Sequence, residues 1–153
     1  MATMSKNEKF QLELLRKLIA GQDCYKMKLT TPTGSYENIY GWSTVFRVVD
    51  PNNFYLHDTI MNKWKFIEFV READCMICKR LPEEDFEIKA GRGKKHLVCF
   101  DGGEGFGKVF IDAKYLEYFE DDCLFLMRNH YDMVLVWRDG NLVGGIMPFV
   151  AKK

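Results

Sequence analysis

The residues best equipped for chemistry are two thiol-bearing pairs. Cys75-Met76-Ile77-Cys78 is followed, after 17 intervening residues, by His96-Leu97-Val98-Cys99. A zinc ion takes four thiolate or imidazole ligands at tetrahedral corners, and two such pairs on facing turns would supply them. The chemistry this spacing points to is a zinc-stabilised nucleic-acid-binding module ligated by Cys75, Cys78, His96 and Cys99. The neighbours Ile77, Leu97 and Val98 argue the other way, because cysteines in so apolar a setting commonly fill core space. On that reading the chain needs no cofactor. A redox role for Cys75 and Cys78 would require a helix start to lower a thiol pKa, and here the pair follows an expected helix.

Other chemistry is less complete. Glu87 and Lys89 form the ExK half of a metal-dependent nuclease centre, in which carboxylates hold magnesium and lysine steadies the attacking water. The missing carboxylate would have to come from Asp58 or Asp74, and alternating charge along a strand is also the mark of a solvated face. Gly103-Glu104-Gly105-Phe106-Gly107-Lys108-Val109 is one residue short of the spacing with which a kinase loop brings amides to phosphates, so it reads as a turn. His57, His96 and His130 have no nucleophile or base at a catalytic spacing, and no serine-centred elbow is present. Trp42, Trp64 and Trp137 read as core or partly buried anchors. Lys63, Lys65, Arg71, Lys79, Arg80, Lys89, Arg92, Lys94 and Lys95 could form a nucleic-acid stripe. Glu83, Glu84, Asp85 and Glu87 balance them, which favours a solvated face. The expectation is therefore a protein that is not an enzyme.

These residues must be carried by one core, since 153 residues make one ordinary domain. The 22 basic and 22 acidic side chains cancel, so no global field draws the chain to nucleic acid or anionic lipid. Hydrophobic residues at 47% are enough to close a core. No apolar run could span a bilayer, and the polar start lacks a signal peptide's apolar stretch. Five cysteines, an odd number without dense spacing, fit a reducing compartment. The expectation is a soluble cytoplasmic protein.

The elements follow from periodicity. Ser5 and Glu8 form a capping box for a first helix, with an apolar stripe of Leu12, Leu14, Leu15, Leu18 and Ile19 ended by Gly21. Strands are expected at Tyr25–Leu29, Thr44–Val49 and Phe54–Leu56, broken by turns at Thr31-Pro32-Thr33-Gly34 and Asp50-Pro51-Asn52-Asn53. A second helix is expected from about Lys63 to Ala73, with Phe66, Ile67, Val70 and Ala73 sharing a face, while the aromatic content leaves a strand reading open. Phe86–Lys89 and His96–Phe100 flank Gly91-Arg92-Gly93 as a hairpin. A strand Lys108–Ile111 then leads, through the cap Asp112, to a third helix Ala113–Glu120. Strands Cys123–Met127, Met133–Trp137 and Leu142–Val150 follow, the last two joined by Asp139-Gly140. The fold class is α+β: antiparallel sheets with two or three helices, arranged as two β-α-β-β-β halves within a single domain spanning 1–153.

The stretch Lys108-Val109-Phe110-Ile111-Asp112-Ala113-Lys114-Tyr115-Leu116-Glu117-Tyr118-Phe119, the strands after it and the ending Gly145-Ile146-Met147-Pro148-Phe149 resemble the terminal repeat of bacterial DNA-polymerase sliding clamps. In that family a strand leads to a helix beginning with Tyr-Leu, three strands follow, and the chain closes on Met-Pro. The resemblance covers roughly the last 45 residues, with the remainder following by element order. It implies a clamp-like module of DNA replication in which an apolar pocket near the ending, here Met147, Pro148 and Phe149, receives short motifs of a partner protein. It also implies DNA contact along the helices and assembly into a homo-oligomeric ring. The third helix carries Glu117, Glu120, Asp121 and Asp122 against Lys114, which would repel phosphates. A protein is accordingly the expected partner. The segment from Cys78 to Cys99 also resembles a zinc-ribbon module, whose last cysteine would fall at Gly102.

Overall fold

A computed structural model of the chain describes residues 4–56, 64–71, 75–129 and 132–149. The fold is α+β and dominated by sheet, with one α-helix among the described residues. Its residues divide into two compact units, Met1–Ala73 and Asp74–Lys153.

In the first unit, α1 (Lys6–Ile19) begins at a reciprocal capping box. Glu8 N donates to Ser5 Oγ at 3.1 Å and Ser5 N donates to Glu8 Oε1 at 3.0 Å. It ends where Gly21 takes φ +76° and Gln22 N donates to Lys17 O, the left-handed exit that glycine adopts without strain. The buried stripe is Phe10, Leu14 and Leu18, each fully buried, whereas Leu12 and Ile19 are exposed. The expected stripe was thus rotated from the true one, because Phe10 at i, i+4, i+8 with the two leucines sets the phase. Gln11 shares this face and satisfies both ends of its amide: Nε2 donates to Asn53 O at 2.7 Å, and Tyr55 N donates to Oε1 at 2.9 Å.

The strands of this unit are β1 (Cys24–Thr31), β2 (Gly34–Gly41), β3 (Val45–Val48) and β4 (Trp64–Val70), ordered β4-β1-β2-β3. β1–β2 and β2–β3 are antiparallel, and β1–β4 is parallel. β4 corrects the expected second helix. It keeps a seven-pair register from Cys24↔Trp64 to Thr30↔Val70, and Phe66 and Val70, expected on a buried helix face, are exposed. Aromatic and β-branched residues fit a pleated ladder beside an existing strand, and that pairing overrides an ambiguous helical spacing. Ala73 and Lys63 lie outside the described residues. Phe54–Leu56 is not a strand, although Phe54 and Leu56 are buried.

The second unit contains β5 (Met76–Ile77), β6 (Lys79–Arg80), β7 (Phe86–Ala90), β8 (Gly93–Asp101), β9 (Lys108–Asp112), β10 (Leu124–Met127), β11 (Val134–Arg138) and β12 (Asn141–Ile146). β12, β11, β10 and β5 lie side by side, while β8 pairs with β6, β7 and β9, all antiparallel. The two expected hairpins are present. Gly91 turns at φ +61°, and Asp139 and Gly140 at φ +52° and +78°. The third helix is a 3-10 run, Ala113–Tyr118, rather than an α-helix. Asp112 caps it, with Oδ1 accepting from Lys114 N at 3.2 Å. So short a segment cannot repay helix nucleation alone, and Glu120, Asp121 and Asp122 at its far end oppose a helix dipole. Phe119, 1% exposed, leaves the turn extended and plugs the core.

Candidate functional site

The four expected zinc ligands are not gathered. His96 and Cys99 stand three apart on the extended strand β8, so their side chains point to opposite faces. Cys99 is fully buried while His96 is 45% exposed. His96 Nε2 lies 3.7 Å from Asp85 Oδ2. Burial pushes the Cys78 thiol up to about 12 and also raises Cys99, which disfavours the thiolates a metal needs. Among the described residues no group of three or more His, Cys, Asp or Glu side chains is placed to hold a metal ion. The strand geometry that makes HxxC a poor chelate is invisible to a spacing rule written for turns.

The nuclease half-motif is likewise dispersed. Glu87 and Lys89 sit on exposed positions of β7, with Glu87 Oε2 3.9 Å from Lys94 Nζ. Asp58, Asp74, His57 and His130 lie outside the described residues. The glycine-rich segment is a turn that uses its own amides: Gly102 N donates to Gly107 O at 3.1 Å, Phe106 N to Gly103 O at 3.1 Å, and Gly103 N to Asp101 Oδ1 at 2.9 Å. Several basic positions are matched by acids, Lys65 with Asp23 at 3.0 Å, Arg80 with Asp85 at 2.8 Å and Lys108 with Glu84 at 3.2 Å. Trp42 stacks on Phe10 and Trp64 meets Tyr40 edge-on, as core anchors do.

Two concave features remain in the second unit. The first is a cavity of about 330 Å³ walled by Phe100, Leu116, Phe119, Leu124 and Phe125 together with the polar Arg80, Glu120 and Asp121. Phe100 and Phe125 hold each other at 4.8 Å between ring centroids. Leu124, in this wall, is 49% exposed. Nearby on the same sheet, Ile77 pairs with Leu126 and therefore shares the face of β10 that carries Leu124. Ile77 is 59% exposed and Met76 46%. Leu124 is thus the exposed apolar side chain of the cavity wall, and neither Ile77 nor Met76 belongs to that wall. The pattern signal was there, an apolar strand directly after Asp121-Asp122, but Leu124 reads as core until its neighbours are known.

The second is a polar groove of about 460 Å³ walled by Lys94, Lys95, His96, Asp112, Lys114 and Glu117. Met147, Pro148 and Phe149 are half-buried and follow β12. Phe149 N donates to Phe110 O at 2.7 Å, and Lys95 Nζ sits 5.6 Å from the Phe149 ring centroid. The ending therefore lies against β9, near the polar groove. Register puts it at the opposite strand ends from the apolar cavity, since Leu124 pairs with Trp137 and Trp137 with Leu142, whereas Val134 pairs with Ile146. Neither wall includes Met147, Pro148 or Phe149. No helix among the described residues is long and apolar enough to cross a membrane. Compared with protein-family models, curated proteins and solved structures, the chain matches none of them.

Proposed function

We propose that this chain is a non-catalytic, sliding-clamp-like module that binds a partner protein through apolar anchors. The observation that carries the reading is the concave, largely apolar cavity whose wall includes the half-exposed Leu124. Exposed apolar side chains scattered singly are ordinary, but a concave site with a largely apolar wall is what interaction surfaces present. An aliphatic or aromatic anchor entering it would gain about 1.5–3 kcal/mol from burial. Arg80, Glu120 and Asp121 in the wall would fix its orientation. The half-buried Met147, Pro148 and Phe149 supply a second apolar contact at the end of β12, where proline leaves a backbone position without a donor. The strand order over residues 108–146, one strand and then three more, supports the clamp-like part of the reading, with a 3-10 run at Tyr115-Leu116 where the resembled repeat has a helix.

Selection of phage-displayed random peptides on the immobilised chain tests this directly. Peptides with spaced aromatic or aliphatic anchors should be enriched, and Leu124→Asp should weaken them at least tenfold while leaving the far-ultraviolet circular dichroism unchanged. Enrichment without apolar anchors, or indifference to Leu124→Asp, would refute the reading.

A further inference from the structure

β9 leaves β8 before β8 is covered. It pairs only with Leu97 to Asp101, and its last partner pair is Leu97↔Asp112. On the other flank β7 covers Gly93 to Leu97 and β6 covers Phe100 and Asp101. In an antiparallel ladder alternate residues turn their N–H and C=O groups to opposite flanks. Two of the four residues Gly93–His96 therefore face a lane that no described strand fills; the 3-10 run Ala113–Tyr118 packs beside β8 after Asp112, and the 460 Å³ groove lies between them.

Asp112 determines what the groove can hold. Its side chain is 8% exposed and Oδ1 is engaged by Lys114 N, but Oδ2 is buried without a hydrogen-bond partner. Lys95 Nζ at 3.7 Å and Lys114 Nζ at 3.8 Å give it charge without a hydrogen bond. A buried acceptor in this condition favours any ligand that brings a donor. The wall also sets three ammonium groups, Lys94, Lys95 and Lys114, against the two carboxylates of Asp112 and Glu117. Lys94 is shared loosely with Glu87.

We infer that this lane is a strand-addition site for an extended acidic peptide. The peptide's main chain completes the β8 ladder over Gly93–His96, one of its N–H groups donates to Asp112 Oδ2, and its carboxylates meet Lys94, Lys95 and Lys114. Lysines on a strand edge also discourage indiscriminate pairing. Here the same lysines select, since a basic strand is repelled and an acidic one is drawn in. The site is separate from the apolar cavity and does not depend on it.

The test is fluorescence anisotropy on the full chain with a labelled octapeptide of alternating Glu and Val. Saturable binding is expected, with none for the alternating Lys and Val peptide. Methylating the Glu-Val peptide on alternate amides should cost at least tenfold, because ladder donors are lost. Lys95→Gln and Lys114→Gln should each cost about threefold to fivefold, and Asp112→Asn, which sets a donor where the acceptor stood, about tenfold. Leu124→Asp should leave this affinity unchanged, so failure here and failure of the apolar-cavity reading are told apart. Absence of binding, equal binding of the Lys-Val or methylated peptide, or indifference to both lysine variants would overturn the inference. The exposed-lane lysine variants keep the test decisive should Asp112→Asn impair folding.

Discussion

Replacing Asp85 by alanine would remove an acceptor on which three parts of the second unit converge. Asp85 Oδ1 accepts from Cys99 N at 3.0 Å, Oδ2 from Arg80 Nη2 at 2.8 Å, and His96 Nε2 stands 3.7 Å away. Its side chain is 11% exposed and Cys99 is fully buried. Alanine would leave the Cys99 N–H without an acceptor, a cost of about 1–3 kcal/mol. The half-exposed Arg80 can rehydrate, so its lost pairing adds no more than about 1 kcal/mol. The expected loss is about 2–3 kcal/mol. Asp85→Asn keeps an oxygen for Cys99 N and loses only the charge facing Arg80, so it should cost about 1 kcal/mol. Burial pushes the Asp85 carboxyl up, but the Arg80 hydrogen bond, the Cys99 N–H and the charges of Arg80 and His96 outweigh it and hold it below the ordinary aspartate range. A depressed folded-state pKa gives stability that is complete above the unfolded value, near 3.9, and is lost as pH falls through the folded value. The gap between wild type and Asp85→Asn should therefore be present at about pH 5 and close in stronger acid. Urea denaturation of the three proteins across this range measures it. Equal losses for Asn and Ala, or a gap that widens in acid, would refute the reasoning.

Two more outcomes follow from the same structure. At Gly41, a β-carbon would overlap the carbonyl oxygen of Val45 and lie 2.8 Å from Phe46 Cα, both backbone atoms of the paired strand. Gly41→Ala should destabilise by about 3 kcal/mol or more in urea denaturation, and a loss under about 1 kcal/mol would show that the β2–β3 connection yields. Cys75 is half-buried whereas Cys24, Cys78, Cys99 and Cys123 are buried. Native alkylation at pH 8 followed by peptide mass mapping should label Cys75 first and the fully buried Cys24 and Cys99 last, and protection of Cys75 and Cys78 by added zinc would revive a metal role.

Local chemistry made much of this fold legible. The Ser5–Glu8 capping box, the Asp139-Gly140 hairpin and the Gly91 turn each combine a residue type with the one backbone geometry it favours, and each is where it was expected. Errors arose where partners far along the chain decide. Trp64–Val70 satisfies a helical spacing as well as a strand composition, and only β1 settles the matter. β2 was overlooked because Ser35, Glu37 and Asn38 dilute its apolar pattern, and Asn38 sits at φ +60° beside a register shift. The site was less legible than the fold. Spacing alone brought Cys75, Cys78, His96 and Cys99 together, and the pleat of β8 separates them. Leu124 and Asp112 were legible only as structure, since one resembles a core leucine and the other a cap.

The placement of the described reactive groups is consistent with the binding role proposed above. The thiols of Cys78 and Cys99 have raised pKa values, so neither is a ready nucleophile or ligand. Carboxylates such as Asp85 and Asp122 are held low by arginine partners, Asp122 by the Arg138 bond at 2.8 Å, and a carboxylate committed to an arginine is a poor proton shuttle near neutral pH. What the described residues of the second unit leave open is of another kind: a half-exposed leucine in the wall of a cavity, and main-chain groups on a stretch of β8 that no described strand pairs on one flank, beside an acceptor lacking a donor. Those features discharge their free energy by acquiring a neighbour, and a second polypeptide brings apolar anchors, strand hydrogen bonds and charge at once.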